Sequence, residues 1–219
     1  GLKFANIIVQ LAGGSLWIAL ILTMIASLIL GMGLTTTAVY ITLAALVIPA
    51  LVQMGVAPIA AHLFAFYFGL VSAITPPVAL AAFAAAGIAG SNPMVTGVHS
   101  FRLGIAKYVL PFVFVFAPGM LFVGNWHQIV LAIIGGFAGI YALTITTEGW
   151  LLTRVNWSMR ILMGFCALLF FVPGLSINLS SWAFSLPQWV TQLIAWVILA
   201  PAVGLHYVRN REAVQEVPA

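Results

Sequence analysis

Long apolar stretches separated by short breaks make up most of this 219-residue chain. A helix that crosses a bilayer needs about 20 mostly apolar residues, and open sheet edges are not tolerated in lipid. The pattern therefore predicts an all-α integral membrane protein. The predicted helical segments are 14–30, 36–54, 57–73, 77–90, 107–124, 127–147, 159–175 and 188–207.

Two of the breaks carry no charge, namely residues 31–37 and residues 72–77. Proline lacks a backbone N–H and disfavours helical geometry at the residue before it, so carbonyls ahead of Pro76 and Pro77 lose their helical partners. Irregular backbone at membrane depth is tolerated only where it is packed in protein or lines a cavity. We therefore predict a re-entrant helical hairpin over 14–54 and a discontinuous transmembrane helix over 57–90. The alternative for 14–54 is a full span followed by a short return.

Composition strengthens the membrane assignment, because 64% of the residues are hydrophobic and 5% are charged, whereas soluble domains carry about 25% charged residues. The net charge of +4 comes without a long basic run, which argues against nucleic acid as a partner. The sequence contains no Asp, no CxxC and no HExxH motif, and Cys166 is its single cysteine. We expect neither an enzyme nor a catalytic metal site.

Basic residues predict the orientation, because cytoplasmic connections of membrane proteins are enriched in Lys and Arg. The connections at 125–126 and 176–187 contain none and are predicted to be non-cytoplasmic. Lys3 is the one exception. The basic residues in the predicted cytoplasmic connections are Arg102, Lys107, Arg154, Arg160, Arg209 and Arg211.

The beginning of the chain does not have the pattern of a signal peptide. Residues 1–13 lack a basic region followed by a short apolar run and a small-residue cleavage site, and the first residue is Gly1. We expect the chain to be a fragment of a longer protein, with a trimmed chain as the alternative.

Two histidines and one run of small residues have both a functional and an ordinary interpretation. An ionisable group inside a membrane suggests function, but His62 comes early in its helix and His99 shares a polar connection with Arg102. The run at 78–90 is rich in Ala and Gly. Small residues allow close helix packing, or a surface against which another element slides.

The two uncharged breaks predict a Na⁺ site. The first 141 residues contain no acidic residue, so a carboxyl proton relay there is excluded. Discontinuous helices of secondary transporters bind Na⁺ through carbonyl and hydroxyl oxygens. The alternative is that these hydroxyls only bond back to helix carbonyls. The predicted Na⁺ ligands are Gly33, Thr36, Thr37, Ser72, Ile74 and Thr75, with Gly33 and Ile74 contributing carbonyls.

Helix N-termini near Thr37 and Val78 would direct positive dipole ends toward an anionic substrate. Four residues beside these N-termini are therefore predicted to lie close to the substrate. They are Thr35, Pro76, Pro77 and Val78.

At these breaks the chain resembles the large membrane subunit of the tripartite ATP-independent periplasmic (TRAP) transporters, of the type fused with the small subunit. The resemblance covers residues 1–124, and Thr35 stands where the family usually has proline. The matching stretches are GMGLTTTAVYI at 31–41, AHLFAFYFG at 61–69, ITPPVALAAF at 74–83, RLG at 102–104 and PF at 111–112.

This resemblance implies an elevator-type symporter in the bacterial inner membrane. It would take organic anions, commonly carboxylates, from a periplasmic substrate-binding protein and couple their uptake to Na⁺, with no other cofactor. The chain looks like the second of two inverted repeats, so its partners would also include the missing N-terminal part of the permease and membrane lipid.

The expected domains are a transport core over 1–124 and a three-helix membrane extension over 125–219, whose role the resemblance does not assign. Two other classes compete with a transporter. A channel or pore also contains broken helices, but it conducts without a periplasmic partner. A membrane enzyme or a structural helical subunit is the third class, and the breaks offer an enzyme only hydroxyls and carbonyls.

The orientation can be tested by labelling single cysteines from outside the cell, in a background without Cys166. We expect a membrane-impermeant thiol reagent to label Asn125→Cys and Ser180→Cys, but not Arg154→Cys or Arg209→Cys. Permeabilised cells provide the control for reactivity. Rapid labelling at 154 or 209 in intact cells would overturn the orientation.

Overall fold

The computed structural model describes residues 2–171, 174–179 and 182–209. The chain divides into two compact units, Gly1–Leu121 and Phe122–Ala219. The first contains α1 to α8 and the second α9 to α11. The helices are α1 Leu2–Ala12, α2 Leu16–Gly31, α3 Thr36–Leu46, α4 Ile48–Gln53, α5 Pro58–Val71, α6 Leu80–Ala89, α7 Pro93–Leu103, α8 Ala106–Phe116, α9 Trp126–Glu148, α10 Trp157–Phe171 and α11 Gln188–Arg209.

Four helical stretches within the described ranges are long and apolar enough to cross a membrane. They are Thr36–Gln53, Pro93–Phe116, α9 and α11. Large apolar side chains also face outward, since Ile88 is 91% exposed and Phe137 is 74% exposed. An apolar exterior of this kind suits lipid rather than water. The chain is therefore a multi-pass membrane protein.

The predicted hairpin region folds as two helices joined by a short turn. Helix α2 ends at Gly31 and α3 begins at Thr36. Helix α4 follows α3 immediately, with Pro49 in its first turn. Because proline has no amide hydrogen, it is tolerated at a helix start and interrupts a helix interior. The predicted segment 36–54 is thus two helices, and its re-entrant path stays a prediction.

The predicted discontinuous helix is found in the structure. Helix α5 ends at Val71, a 3₁₀ turn covers Ser72–Ile74, and α6 begins only at Leu80. Between them Thr75 is extended, the Pro76–Pro77 peptide bond is cis, and Ala79 is left-handed with φ of 35°. Residues 72–79 form the break between α5 and α6.

The prediction of a polar connection before residue 107 is wrong, because residues 93–103 form helix α7. Asn92 caps this helix, accepting hydrogen bonds from the amides of Met94 and Val95. Asn followed by Pro at the first helical position is a helix-start signal. The helix predicted over 107–124 is shorter in the structure, because α8 ends at Phe116 and a 3₁₀ turn covers Pro118–Leu121. Helix α1 was also not predicted.

The core of the first unit is an aromatic cluster between α5 and α8. Phe64 and Phe68 are fully buried on α5. The Phe112 ring of α8 meets both edge-on, with centroids 5.2 and 5.9 Å away. Full burial of one such side chain contributes roughly 1.5–3 kcal/mol where water is the alternative. In a membrane, close packing of this kind carries more of the stability.

In the second unit, glycines and hydrogen bonds hold the helices together. A Cβ at Gly139 of α9 would lie 2.7 Å from the Phe171 ring of α10, so any larger residue there would require the ring to shift. The Gln192 amide nitrogen of α11 donates to the Leu131 carbonyl of α9. Arg160 donates to two carbonyls at the end of α9, those of Thr146 and Thr147.

The connection between α10 and α11 contains an antiparallel hairpin, although helices were the only elements predicted. Strand β1 is Gly174–Leu179 and β2 is Trp182–Pro187, with Gly174 opposite Pro187. Alternating apolar and polar residues at 175–179 are the corresponding sequence signal. Ser180 and Arg211, used to predict the orientation, lie outside the described residues.

A stop after residue 124 of the complete permease should leave the first unit folded, because its aromatic core lies within residues 64–112. We expect the truncated protein to insert and to melt close to the temperature of the parent, measured by tryptophan fluorescence in detergent. A stop after residue 104 provides the contrast, since it removes α8 and Phe112. Equal loss of folding in both truncations would show that the first unit depends on the rest of the chain.

Candidate functional site

Glycines bring the end of α2 against the break. A Cβ on Gly31 would collide with the Gly69 carbonyl oxygen and with the Ser72 hydroxyl. Gly69 in turn faces α3, where a Cβ would lie 2.6 Å from the Val39 side chain and 3.1 Å from that of Leu43. Helices α2, α3 and α5 therefore meet at backbone distance, as small residues allow in membrane proteins.

Two buried hydroxyls in the break bond to backbone carbonyls of α5. The Ser72 hydroxyl donates to the Gly69 carbonyl at 2.6 Å, and the Thr75 hydroxyl donates to the Val71 carbonyl at 2.6 Å. Ser72 is 1% exposed and Thr75 is 9% exposed. Bonding back to the helix, the alternative role for these hydroxyls, is thus what the structure contains. Each hydroxyl oxygen still has lone pairs that this bond does not use.

The two prolines leave one carbonyl of the break without its helical donors. The Thr75 amide donates to the Ser72 carbonyl at 3.2 Å, and the Ala79 amide donates to the Thr75 carbonyl at 3.0 Å. The Ala73 carbonyl would accept from residue 76 or 77 in a 3₁₀ or α-helix, but both are proline and have no N–H. Ala73, the neighbour of the predicted ligand Ile74, therefore offers a carbonyl oxygen for another partner.

Helices α7 and α8 pack around the break at three points that the sequence pattern does not predict. A Cβ on Gly97 would lie 3.5 Å from side-chain atoms of both Pro76 and Ala79. At the joint between the two helices, a Cβ on Gly104 would lie 2.7 Å from the Ile74 side chain. The third point is a hydrogen bond between the hydroxyls of Tyr108 and Thr75. Since Tyr108 lies in an ordinary apolar segment, only the fold reveals it.

The predicted ligands at the tip between α2 and α3 are not buried. Gly33, Thr36 and Thr37 are exposed, and a Cβ on Gly33 would meet nothing within 4 Å. Thr35, predicted to lie near the substrate, is the exposed N-cap of α3 and makes no side-chain cap hydrogen bond. Gly31 is the tip residue that the structure places against Ser72.

The other predicted substrate-proximal residues lie just before α6. Pro76 and Val78 are half-buried and Pro77 is exposed. Helix α6 starts after the left-handed Ala79, which likewise provides no side-chain cap. The amides of the first turn of α6 thus have no side-chain acceptor at the N-cap.

The two histidines have different surroundings. His62 is half-buried on α5, and its Nδ1 lies 2.9 Å from the Tyr40 hydroxyl of α3. This pair joins α3 to α5 about two helical turns before Gly69 along α5. His99 is exposed on α7. In the run 78–90, Ala79, Ala82 and Ala86 are the buried positions, which matches one packed helix face.

A cavity of about 240 Å³ lies beside the break, lined by Tyr67, Leu70, Val71, Ile74 and Lys107. Lys107 is the basic residue on α8 and stands next to the C-terminal end of α5. Cations are favoured at that end of a helix. In the sequence alone, Lys107 indicates only the orientation of the chain.

Residues 1–129 match the family model for the tripartite ATP-independent periplasmic transporter, DctM component. The chain belongs to this family. It is therefore a membrane component of a TRAP transporter, and the match covers the tip, the break and the α7–α8 joint. No match was found among curated proteins or among solved structures.

The contact of Gly31 with the break can be tested against Gly33, two residues away. Alanine favours helices over glycine, yet we expect Gly31→Ala in the complete transporter to lower the melting temperature and abolish uptake. The reason is that its methyl group would press on the Gly69 backbone, which cannot move aside as a flexible side chain could. Gly33→Ala, with open space around it, should keep both properties. Equal behaviour of the two variants would contradict the close approach.

Proposed function

We propose that this chain is part of a secondary transporter that imports organic anions, specifically carboxylates, together with Na⁺, and receives them from a periplasmic binding protein. Membership of the TRAP family supports this proposal. The observation that carries it is the break, where two prolines and two buried hydroxyls leave uncharged oxygens beside the tip of α2 and α3.

The Na⁺ site consists of oxygens from the break and the tip. The Ser72 and Thr75 hydroxyls have each committed their proton to an α5 carbonyl, so what they can offer to a further partner is lone pairs. A cation can be bound through lone pairs alone. The proposed ligands are those two hydroxyls, the carbonyls of Ala73, Ile74 and Gly33, and the hydroxyls of Thr36 and Thr37.

Na⁺ suits this site better than a proton. Neutral carbonyl and hydroxyl oxygens do not take up a proton near pH 7, whereas interrupted helices bind Na⁺ through such oxygens. The first 141 residues contain no carboxylate that could carry a proton instead. These neutral oxygens therefore favour Na⁺ over a proton as the coupling ion.

Helix N-termini favour an anionic substrate at the same place. Helix α3 begins at Thr36 and α6 at Leu80, and neither has a side-chain cap on its first amides. Uncapped amides and the positive end of the helix dipole attract a carboxylate. Thr35, Pro76, Pro77 and Val78 are the proposed neighbours of the substrate.

Helices α2, α3, α5 and α6 would move together as the carrier in an elevator mechanism within the bacterial inner membrane. The Gly31 and Gly69 contacts and the Tyr40–His62 hydrogen bond join three of these helices. The rest of the permease would provide the other face of the substrate pocket. The extension over 125–219 lies outside this proposed carrier.

The test uses Thr75→Val and Thr36→Val in the complete transporter, reconstituted into liposomes with its binding protein. Valine keeps the shape of threonine and removes the hydroxyl oxygen. We expect the Na⁺ concentration for half-maximal uptake to rise by about tenfold in each, since a lost bond to a charged group is worth roughly 1.5–3 kcal/mol.

The matched controls are Thr75→Ser and Thr36→Ser, which keep the hydroxyl and should keep the Na⁺ dependence. Thr75→Val also removes the bond to the Val71 carbonyl, so the melting temperature of each variant is measured alongside. Unchanged Na⁺ dependence in both valine variants, or equal uptake driven by a proton gradient without Na⁺, would refute the site.

A further inference from the structure

The direction of the hydrogen bond between Tyr108 and Thr75 follows from counting protons. A threonine hydroxyl has one hydrogen. The Val71 carbonyl can only accept, so that hydrogen lies between Thr75 Oγ1 and the Val71 oxygen, 2.6 Å apart. Tyr108 also hydrogen-bonds to Thr75 Oγ1. Tyr108 must therefore be the donor in this second bond.

We propose that Tyr108 is a positioning residue for the Na⁺ site, acting through Thr75. With its proton given to Val71 and one lone pair taken by Tyr108, the Thr75 oxygen has a single lone pair left, in a fixed direction. That remaining lone pair would be the one available to Na⁺. The inference rests on the proposed function, because it assigns Tyr108 to the site formed by the break and the tip.

The tyrosine ring is held so that it can perform this role. Phe101 of α7 meets it edge-on at 4.9 Å between centroids, and Phe68 of α5 lies 6.3 Å away. One turn further along α8, Phe112 packs edge-on against both Phe64 and Phe68. The hydroxyl thus comes from a rigidly packed helix rather than from a mobile loop.

The consequence is that α8 controls an ion ligand on another helix. Thr75 is extended and lies outside both α5 and α6, so its hydroxyl is oriented by its own hydrogen bonds rather than by a place in a helix. These two hydrogen bonds join it to Val71 on one side and to Tyr108 on the other. A displacement of α8 relative to α5 would break the hydrogen bond from Tyr108 to Thr75. The lone pair of the Thr75 oxygen would then no longer be held in one direction.

The experiment compares Tyr108→Phe with Tyr67→Phe in the complete transporter in liposomes. Both remove one tyrosine hydroxyl from the same aromatic region and keep the ring, which for Tyr67 packs edge-on against Phe114. We expect Tyr108→Phe to raise the Na⁺ concentration for half-maximal uptake by about two- to tenfold, the span of one lost hydrogen bond. The maximal rate at saturating Na⁺ should stay unchanged, and Tyr67→Phe should match the parent.

A double-mutant cycle shows whether Tyr108 acts through Thr75. In the Thr75→Val background, Tyr108→Phe should cause no further change in Na⁺ dependence. Additive effects of the two substitutions, or no effect of Tyr108→Phe alone, would overturn the inference even if Thr75→Val behaves as expected. An unchanged Na⁺ dependence in Thr75→Val would instead refute the proposed ion site itself.

A second variant covers the possibility that Tyr108→Phe fails to accumulate in the membrane. Phe101→Leu keeps the Tyr108 hydroxyl and loosens the ring that holds it, so we expect a smaller rise in the same direction. Sodium-dependent protection against thermal unfolding gives the readout without uptake. Full retention of that protection in Phe101→Leu would count against a positioning role.

Discussion

The missing amide hydrogens of Pro76 and Pro77 are the constraint on which the first unit depends. Because the carbonyls of Ser72 and Ala73 find no α-helical donor at residues 76 and 77, α5 cannot continue and the chain leaves it through a 3₁₀ turn. In this turn the hydroxyls of Ser72 and Thr75 donate to carbonyls in the last turn of α5. Both hydroxyls are therefore buried and oriented. The Ala73 carbonyl has no helical donor, because residues 76 and 77 are both proline. Its oxygen is therefore open to another partner.

Glycine at two positions turns this local break into a meeting point of helices. Gly31 brings the end of α2 onto Gly69 and Ser72, and Gly69 lets Val39 and Leu43 of α3 reach α5. In lipid, where apolar side chains gain little by leaving their surroundings, such close packing and hydrogen bonding must hold helices together. The tip and the break are neighbours because their backbones have no side chains between them.

Sequence patterns sufficed for the helical membrane class and for the two interruptions, between α2 and α3 and between α5 and α6, because proline, glycine and long apolar runs act locally. They did not predict that Tyr108 reaches Thr75, since that bond joins residues 33 positions apart and depends on the packing of α8. Helix α7 was missed because its polar residues resemble a loop, although Asn92 and Pro93 mark its start. The tip hydroxyls Thr36 and Thr37 are exposed in this chain, which local sequence patterns do not reveal.

A site of neutral oxygens would also suit the proposed carrier, which would have to cross the membrane both loaded and empty. A buried carboxylate would carry an uncompensated charge whenever the ion had left, and an isolated charge in hydrocarbon is costly. Ser72, Thr75 and the Ala73 carbonyl carry no net charge, so the empty site has only dipoles to satisfy, and two of these are already hydrogen-bonded. In the loaded carrier, the charge of Na⁺ would offset that of a carboxylate substrate. The hydrogen bonds that satisfy the break without an ion would therefore be the same ones that orient its oxygens in the proposed Na⁺ site.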